Sequence, residues 1–460
     1  MRVFSVASMF FILYFAVLIL IGFYTHTKAR TAPGFFLANR KLGTLLCTST
    51  ITATVVGGSA TIVTGALVYM YGLPGLWIDI GGALGLIILG FFLANKVRKT
   101  GLYTLPEITG YLFDTRVRFA AAVLVIITEI AWVSLLLQST CIILSVFIPL
   151  GFEVLLIVVT TVFVVYTLLG GQYAVVYTDF IQLIIMIVGI CLIAAPMLFI
   201  KAFPYLSSMP SDHLSFPVSH GLGFSAVLSF FFMMIMPHVV GPDIYSKILS
   251  AKNEIVARRS SILSGVVKLV FAAAIGVIAL CAVVLYPDID DTSLVIPAAV
   301  SNLNPVLAVF VLASFVSVMI SSADSCLLSA GTILSVDIAR KSNIWFSRAG
   351  ILAVGFASLL LSLYMHDIVS TLKLAYTVFT AGLTLPIIFG FYRRKTGVSC
   401  RGAYWSLILG GLISIVWIYI GSPVVDAVLV GLMFSAIPLI VFKEKKWGGT
   451  WVDEYEKAVA

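Results

Sequence analysis

Residues 305–335 read PVLAVFVLASFVSVMISSADSCLLSAGTILS. The stretch is apolar and long enough to cross a bilayer, yet Ser321, Ser322 and Asp324 stand near its middle. A charged side chain at mid-membrane costs about 2.5–3.5 kcal/mol on insertion scales. Such groups line a cavity or a bound ion rather than touch lipid. Two adjacent hydroxyls beside a carboxylate therefore point to a site for a small cation inside a membrane protein.

The rest of the 460-residue chain agrees with a membrane setting. Apolar residues make up 61% of it and charged residues 10%, with a mean hydropathy of +1.13. A soluble domain would carry about 25% charged residues. Hydropathy predicts thirteen spans, at about 3–24, 43–70, 76–95, 119–147, 152–169, 176–200, 222–240, 260–286, 305–335, 348–365, 369–392, 402–421 and 424–442. Each comes near or passes the roughly 20 residues that a helix needs to span. The first run is long enough to be kept as a helix rather than read as a cleaved signal. Cys47, Cys141, Cys191, Cys281 and Cys326 lie in apolar runs and Cys400 in a basic loop, which predicts free thiols.

A net charge of +8 would suggest nucleic acid in a soluble protein, but here its distribution gives orientation. Of the 28 basic residues, all but Arg2, Lys201, Lys268 and Lys373 fall in loops on one side or in the C-terminal tail. Lys247 is placed in one of those loops, and the opposite side has the acidic run Asp288, Asp290, Asp291. The positive-inside rule then puts the N-terminus outside and the C-terminus in the cytoplasm. No Pro- or Ser-rich linker divides the chain, so one integral membrane domain is expected.

Paired broken helices in repeated halves mark the sites of many secondary transporters. The second span carries Val56-Gly57-Gly58-Ser59 near its midpoint, amid Thr52, Thr54 and Thr61. A glycine pair lets the backbone unwind and turn its carbonyls toward a ligand; close helix packing is the other use of such glycines. The seventh span ends in Met236-Pro237-His238-Val239-Val240-Gly241-Pro242, where two prolines remove backbone donors. These would be the first helices of inverted five-helix repeats at about 43–200 and 222–392, with 3–24, 402–421 and 424–442 peripheral. No His-Glu-x-x-His pair or Gly-x-Ser-x-Gly turn occurs, and His26, His213, His220, His238 and His366 are scattered, so no enzyme is expected.

Four motifs resemble one family, the sodium:solute symporters. Gly170-Gly171-Gln172-Tyr173-Ala174-Val175-Val176-Tyr177-Thr178-Asp179-Phe180-Ile181-Gln182 is similar to its longest signature, and Tyr103-Thr104-Leu105-Pro106-Glu107 to the short motif before the fourth span. Ala251-Lys252 with Ala257-Arg258-Arg259 resembles its basic loop. Ser321-Ser322-Ala323-Asp324 followed by Asp337-Ile338 resembles its ninth span. The resemblance runs along nearly the whole chain, in order. It implies an all-α membrane protein with an inverted five-helix repeat core, broken first helices, alternating access and Na⁺ coupling.

It further implies one Na⁺ between the second and ninth spans, held by the carbonyls of Ala53, Val56 and Val318 and the hydroxyls of Ser321 and Ser322. Neutral oxygens suit a hard monovalent ion, although membrane serines also bond back to their own helix. Asp179 is implied in the ion pathway; the alternative is a solvated aspartate at a helix start. Asp324 would tune the ion's field or bond to a neighbouring helix. For the solute, the resemblance points to Asp79 and Lys268, and the first break adds Gly57, Gly58, Ser59 and Ala60. Glu129, Met234 and His238 complete the candidates, His238 without an assigned role. A salt bridge that only fastens helices is the alternative for Asp79 and Lys268.

The chain departs from the sugar-carrying members at Ala60 and at Phe230-Phe231-Phe232-Met233-Met234, where amides would be wanted. An unpaired sugar hydroxyl is penalised by about 1–3 kcal/mol, so a small amino acid or organic carboxylate is expected. Two other functions stay open: a permease coupled to protons through Glu129 or Asp324, or uncoupled, and a transporter-like membrane sensor. The expected partners are the solute, Na⁺ and the lipid bilayer, with no nucleic acid and no obligatory protein partner.

Overall fold

The computed structural model describes residues 13–444 apart from 15, 19, 146–147, 366 and 422–425. Residues 3–12 of the expected first span, the first residues of the expected thirteenth, His366, Arg2, Lys445, Lys446 and Lys457 lie outside them. The described residues are helical, and their only β pairings are isolated bridges at Leu42–Ala251 and Val398–Lys443.

Nine helices among the described residues are long and apolar enough to cross a membrane, and the bent pair Thr44–Val55 and Ser59–Tyr71 makes a tenth. The remaining expected spans coincide with shorter apolar helices at Ala16–His26, Phe152–Val165 and Ala427–Val441. Thirteen helical segments thus lie where hydropathy predicts them, but a count of thirteen full spans is not reached by length. All six cysteines are free.

The ninth span, Pro305–Ile338, is the hub. Of its most apolar window 83% is buried, against 33% for Ile344–Tyr364 and Cys400–Ile420, which are peripheral. The fifth and sixth spans are two helices that follow each other within Phe152–Met186, broken at Gly171, whose backbone is not helical. Gly171 has φ 55°, and a Cβ there would lie 2.8 Å from the Phe35 carbonyl oxygen. Only glycine combines that backbone with that approach.

Two expectations are corrected here. The seventh span does not end at Val240. The helix carries Pro237 within it, breaks at Gly241, and resumes as Pro242–Ser250. A proline at the first helical position loses nothing, because its missing N–H would be unpaired there anyway; Pro242 opens a helix rather than closing one. Consequently Lys247 is not in a loop but fully buried in that second half. The alternative reading of Asp179 as a solvated helix start is set aside: it is buried, beyond the break at Gly171.

The Tyr103–Glu107 motif is a helix cap that doubles as a fastener. Thr104 Oγ1 accepts from the Glu107 amide (3.0 Å) and Glu107 Oε2 from the Tyr103 amide (2.7 Å), a reciprocal capping box. Thr104 Oγ1 also donates to Asp337 Oδ2 (2.7 Å), and Arg118 Nε donates to Asp337 Oδ1 (2.7 Å). The ends of the fourth and ninth spans are thereby tied. Nearby, Leu42 and Ser250–Lys252 pair through backbone bonds of 3.2 and 2.8 Å, tying the second span to the seventh.

Arg118→Ala leaves the buried Asp337 carboxylate one donor short and is expected to cost about 1–3 kcal/mol. Glu107→Gln, which sits 3.9 Å from Arg118 and is partly exposed, should cost under about 1 kcal/mol. Unfolding of the purified protein in detergent, followed by intrinsic fluorescence, compares the two.

Candidate ion and solute site

The second span is bent by 63° between Val55 and Ser59. The glycine pair makes the bend possible by close approach. A Cβ on Gly57 would lie 2.7 Å from Ser322 Oγ, and one on Gly58 would lie 2.6 Å from Ser139 Oγ. The break therefore presses directly on the ninth and fourth spans. It continues into a wide π-helical turn at Ser59–Val63.

Breaking a helix frees carbonyls, and inside a membrane each needs a partner. Three are supplied by side chains: Ser322 Oγ donates to the Thr54 carbonyl (2.8 Å), Lys268 Nζ to that of Val55 (2.8 Å), and Thr61 Oγ1 to that of Gly57 (2.9 Å). Among the described residues no hydrogen bond reaches the carbonyls of Ala53 and Val56. Those are the two carbonyls that the family resemblance gives to Na⁺. Ser322 Oγ also lies 3.1 Å from the Val318 carbonyl, so the ninth-span oxygens Val318 O and Ser322 Oγ stand at the break.

Ser321 faces elsewhere. Its hydroxyl donates to Asp179 Oδ1 (2.5 Å), while Thr50 Oγ1 donates to Asp179 Oδ2. One buried carboxylate thus joins the second, sixth and ninth spans, a turn away from the break. Asp324 is buried beside Ser325, whose hydroxyl lies 3.3 Å from its Oδ1, and its Oδ2 has no hydrogen-bond partner. Thr54 Oγ1 meets Ser325 Oγ at 3.0 Å.

Asp79 and Lys268 form a buried ion pair at 2.7 Å. Thr64 Oγ1 donates to Asp79 Oδ2 (2.8 Å), so this pair grips both halves of the broken span: Thr64 on one side and the Val55 carbonyl on the other.

A cavity of about 40 Å³ lies at the break. Of the expected solute residues it is lined by Gly57, Gly58, Ser59 and His238; Asp79, Lys268, Ala60, Glu129 and Met234 are not in its wall. His238 Nδ1 donates to the Met234 carbonyl (2.7 Å), which fixes the ring. Sequence reading missed Trp132, Tyr376 and Asp243, all of which line the cavity. Trp132 packs on Tyr376 with ring centroids 5.3 Å apart, and Tyr376 Oη lies 3.3 Å from Ser59 Oγ. Asp243 was findable: proline followed by an acid is a helix-start signal, and reading Gly241-Pro242-Asp243 that way puts a carboxylate at the second break.

Lys247, one turn after Asp243, has an ammonium with no hydrogen-bond partner. Asp179, Glu129 and Asp324, all buried, and the half-buried Asp243 are the carboxyl groups in its surroundings.

The sodium:solute symporter family pattern matches residues 35–410. The chain belongs to that family. It is 26% identical over 444 residues to the sodium/proline symporter of Staphylococcus aureus strain Newman, covering 88% of this chain and 84% of that one. It is 25% identical over 393 residues to the high-affinity choline transporter 1 of Drosophila melanogaster. That match covers 78% of this chain, which spans only 62% of the Drosophila protein's length. The fold is that of a Na⁺-coupled sialic acid symporter solved in a substrate-bound, outward-open state, with TM-score 0.78, 18% identity, and 95% and 97% of the two chains covered. The family and these relatives are transporters, not enzymes.

Gly57→Val would force the break away from Ser322, an overpacking expected to cost about 1–3 kcal/mol. Gly223→Ala, whose methyl would meet nothing within 4 Å, should change little. Melting curves with and without Na⁺ check both; the Na⁺-dependent rise in Tm should shrink only in Gly57→Val.

Proposed function

We propose that this chain carries out Na⁺-coupled symport of a small organic solute across the cell membrane by alternating access. The observation that supports it best is the pattern of carbonyl satisfaction at the first break. The carbonyls of Thr54, Val55 and Gly57 are matched by side chains and that of Gly58 by the Val63 amide, whereas those of Ala53 and Val56 are not, and Ser322 Oγ, bonded to Val318 O, stands at the same break. Na⁺ bound to these oxygens would hold the two halves of the second span against the ninth; Ser321, turned to Asp179 in this conformation, would have to swing to join the set. Asp179, already bonded to Ser321, would take the ion on its way to the inside, with Asp324 and Lys247 setting the field along that path. The N-terminus would be outside, and the repeats at about 43–200 and 222–392 would move against each other.

The solute class follows from the cavity wall. Asp243 and the Trp132–Tyr376 aromatic pair line it, and no Lys or Arg does. A carboxylate and aromatic faces together suit a cationic nitrogen. Of the two classes expected from sequence, an amino acid therefore fits better than a simple organic carboxylate, which would meet Asp243 as a like charge. Proline and choline, the solutes in the relatives' names, both carry such a nitrogen. Ligand sites usually measure roughly 300–1,000 Å³, so this cavity must widen to admit the solute, as alternating access requires.

Coupling arises when Na⁺ has different affinities for the two states. The membrane potential then contributes about 2.3 kcal/mol per charge per 100 mV. Proton coupling is the second reading, favoured by Glu129: it is buried, neighbours Cys326 and Ser329, and neither oxygen has a well-formed hydrogen bond.

The test is uptake into proteoliposomes from a panel of labelled amino acids, quaternary amines, carboxylates and sugars, driven by Na⁺ or by H⁺ gradients. Uptake should follow Na⁺, and Ser322→Ala should raise the half-saturating Na⁺ concentration about tenfold, about 1.4 kcal/mol for one lost Na⁺–oxygen contact. Asp243→Asn should weaken uptake of nitrogen cations about 10- to 100-fold, the worth of one charge-assisted bond. H⁺-driven uptake unaffected by Ser322→Ala, and lost in Glu129→Gln, would replace sodium with protons.

A further inference from the structure

A cavity larger than the one at the break lies elsewhere in the molecule. It holds about 450 Å³ and lies between the end of the first span, the following linker, and the start of the tenth span, Ile344–Tyr364. His26, Arg30, Ser342, Asn343, Trp345 and Arg348 are prominent in its wall, and no acidic residue lines it. Neither Arg30 nor Arg348 has a carboxylate within 4.0 Å among the described residues. Arg348 Nε is buried with no hydrogen-bond partner. Its guanidinium is held in place by stacking over the Trp345 ring (5.2 Å) and the Phe35 ring (5.9 Å). A buried, unpartnered donor on a positioned guanidinium is an anion site in waiting, since planar guanidinium forks match phosphate oxygens. The first turn of the 21-residue tenth helix adds its own preference for negative charge.

The surroundings say where the anion comes from. Trp345 is 73% exposed and Tyr24 71%, beside Phe23 and Phe346, which are also exposed. An exposed aromatic rim beside basic residues is the signature of a membrane–water interface. Lys28 and Lys341 stand on the same two segments, over the rings of Tyr24 and Phe346.

We propose that this pocket binds a phosphate-bearing anion at the membrane interface, supplied by an anionic phospholipid headgroup or by free phosphate, with Arg30 and Arg348 as its principal ligands. The site is separate from the ion and solute path, and it would fasten the first span to the tenth on the face that carries the basic loops.

The experiment uses the full-length protein, stripped of lipid in detergent. Binding of phosphatidylglycerol, phosphatidylcholine and inorganic phosphate would be titrated by native mass spectrometry, with Tm as a parallel readout. Phosphatidylglycerol should bind at least about tenfold tighter than phosphatidylcholine, and Arg30→Gln/Arg348→Gln should remove that preference, as expected for two interfacial cations. Arg30→Gln alone, at an exposed position, should remove part of it without affecting folding. Arg401→Gln, another guanidinium of the basic loops, should leave it intact. Phosphatidylglycerol binding that resists inorganic phosphate identifies the lipid as the source; saturable, variant-sensitive binding of inorganic phosphate alone identifies free phosphate. Equal binding of the two lipids without phosphate binding, or equal losses in Arg401→Gln and the double variant, would overturn the site.

Discussion

A backbone inside a membrane has no water to fall back on, so a helix that breaks there must find partners for each carbonyl it releases. The interior of this protein is organised around that constraint. The break at residues 56–58 is met by Lys268 from the eighth span, Ser322 from the ninth and Thr61 from its own continuation. Lys268 in turn requires a counter-charge, which is why Asp79 sits 2.7 Å away in the third span. Thr64 then satisfies the second oxygen of Asp79. The chain of dependence runs from one glycine pair through four spans.

The same logic separates fastening from function. A group whose hydrogen bonds are all spent on protein is committed to the fold. Asp79 and Lys268 belong to that class, because each is gripped by two neighbours. Among the groups left over near the breaks are the carbonyls of Ala53 and Val56, Asp324 Oδ2, both oxygens of Glu129, and Lys247 Nζ; others, such as Arg348 Nε, lie elsewhere. Those near the breaks are buried, and they cluster around the second, fourth, seventh and ninth spans. Leaving so much polarity unsatisfied is costly unless an ion, a solute or a proton completes it.

Sequence made the architecture legible where the signal was local. Hydropathy located thirteen helical segments, and the Gly57-Gly58 pair located the bend, because loss of helix at mid-span has few other causes. Motif residues whose role no pattern could reveal became clear as contacts: Thr104, Glu107, Arg118 and Asp337 meet only in three dimensions. What failed was the reading of proline and charge. Pro237 and Pro242 read as an end, and a lysine shortly afterwards as solvated. A proline starts helices as readily as it stops them, and a lysine can be buried when carboxylates surround it. Lys247, Asp243 and the true extent of the seventh span were lost through that single misreading.

The two breaks differ in kind, and the difference bears on how the protein moves. The first is bent by 63° and is laced to its neighbours through side chains on both halves. The second is a single residue, Gly241, whose flanking helices are bent by less than 40°. On one side of Gly241 stands His238, fixed to its own helix; on the other stand Asp243 and Lys247. Rotation at Gly241 would carry a carboxylate and an unpartnered ammonium together, as one rigid turn, past the fixed oxygens of the first break.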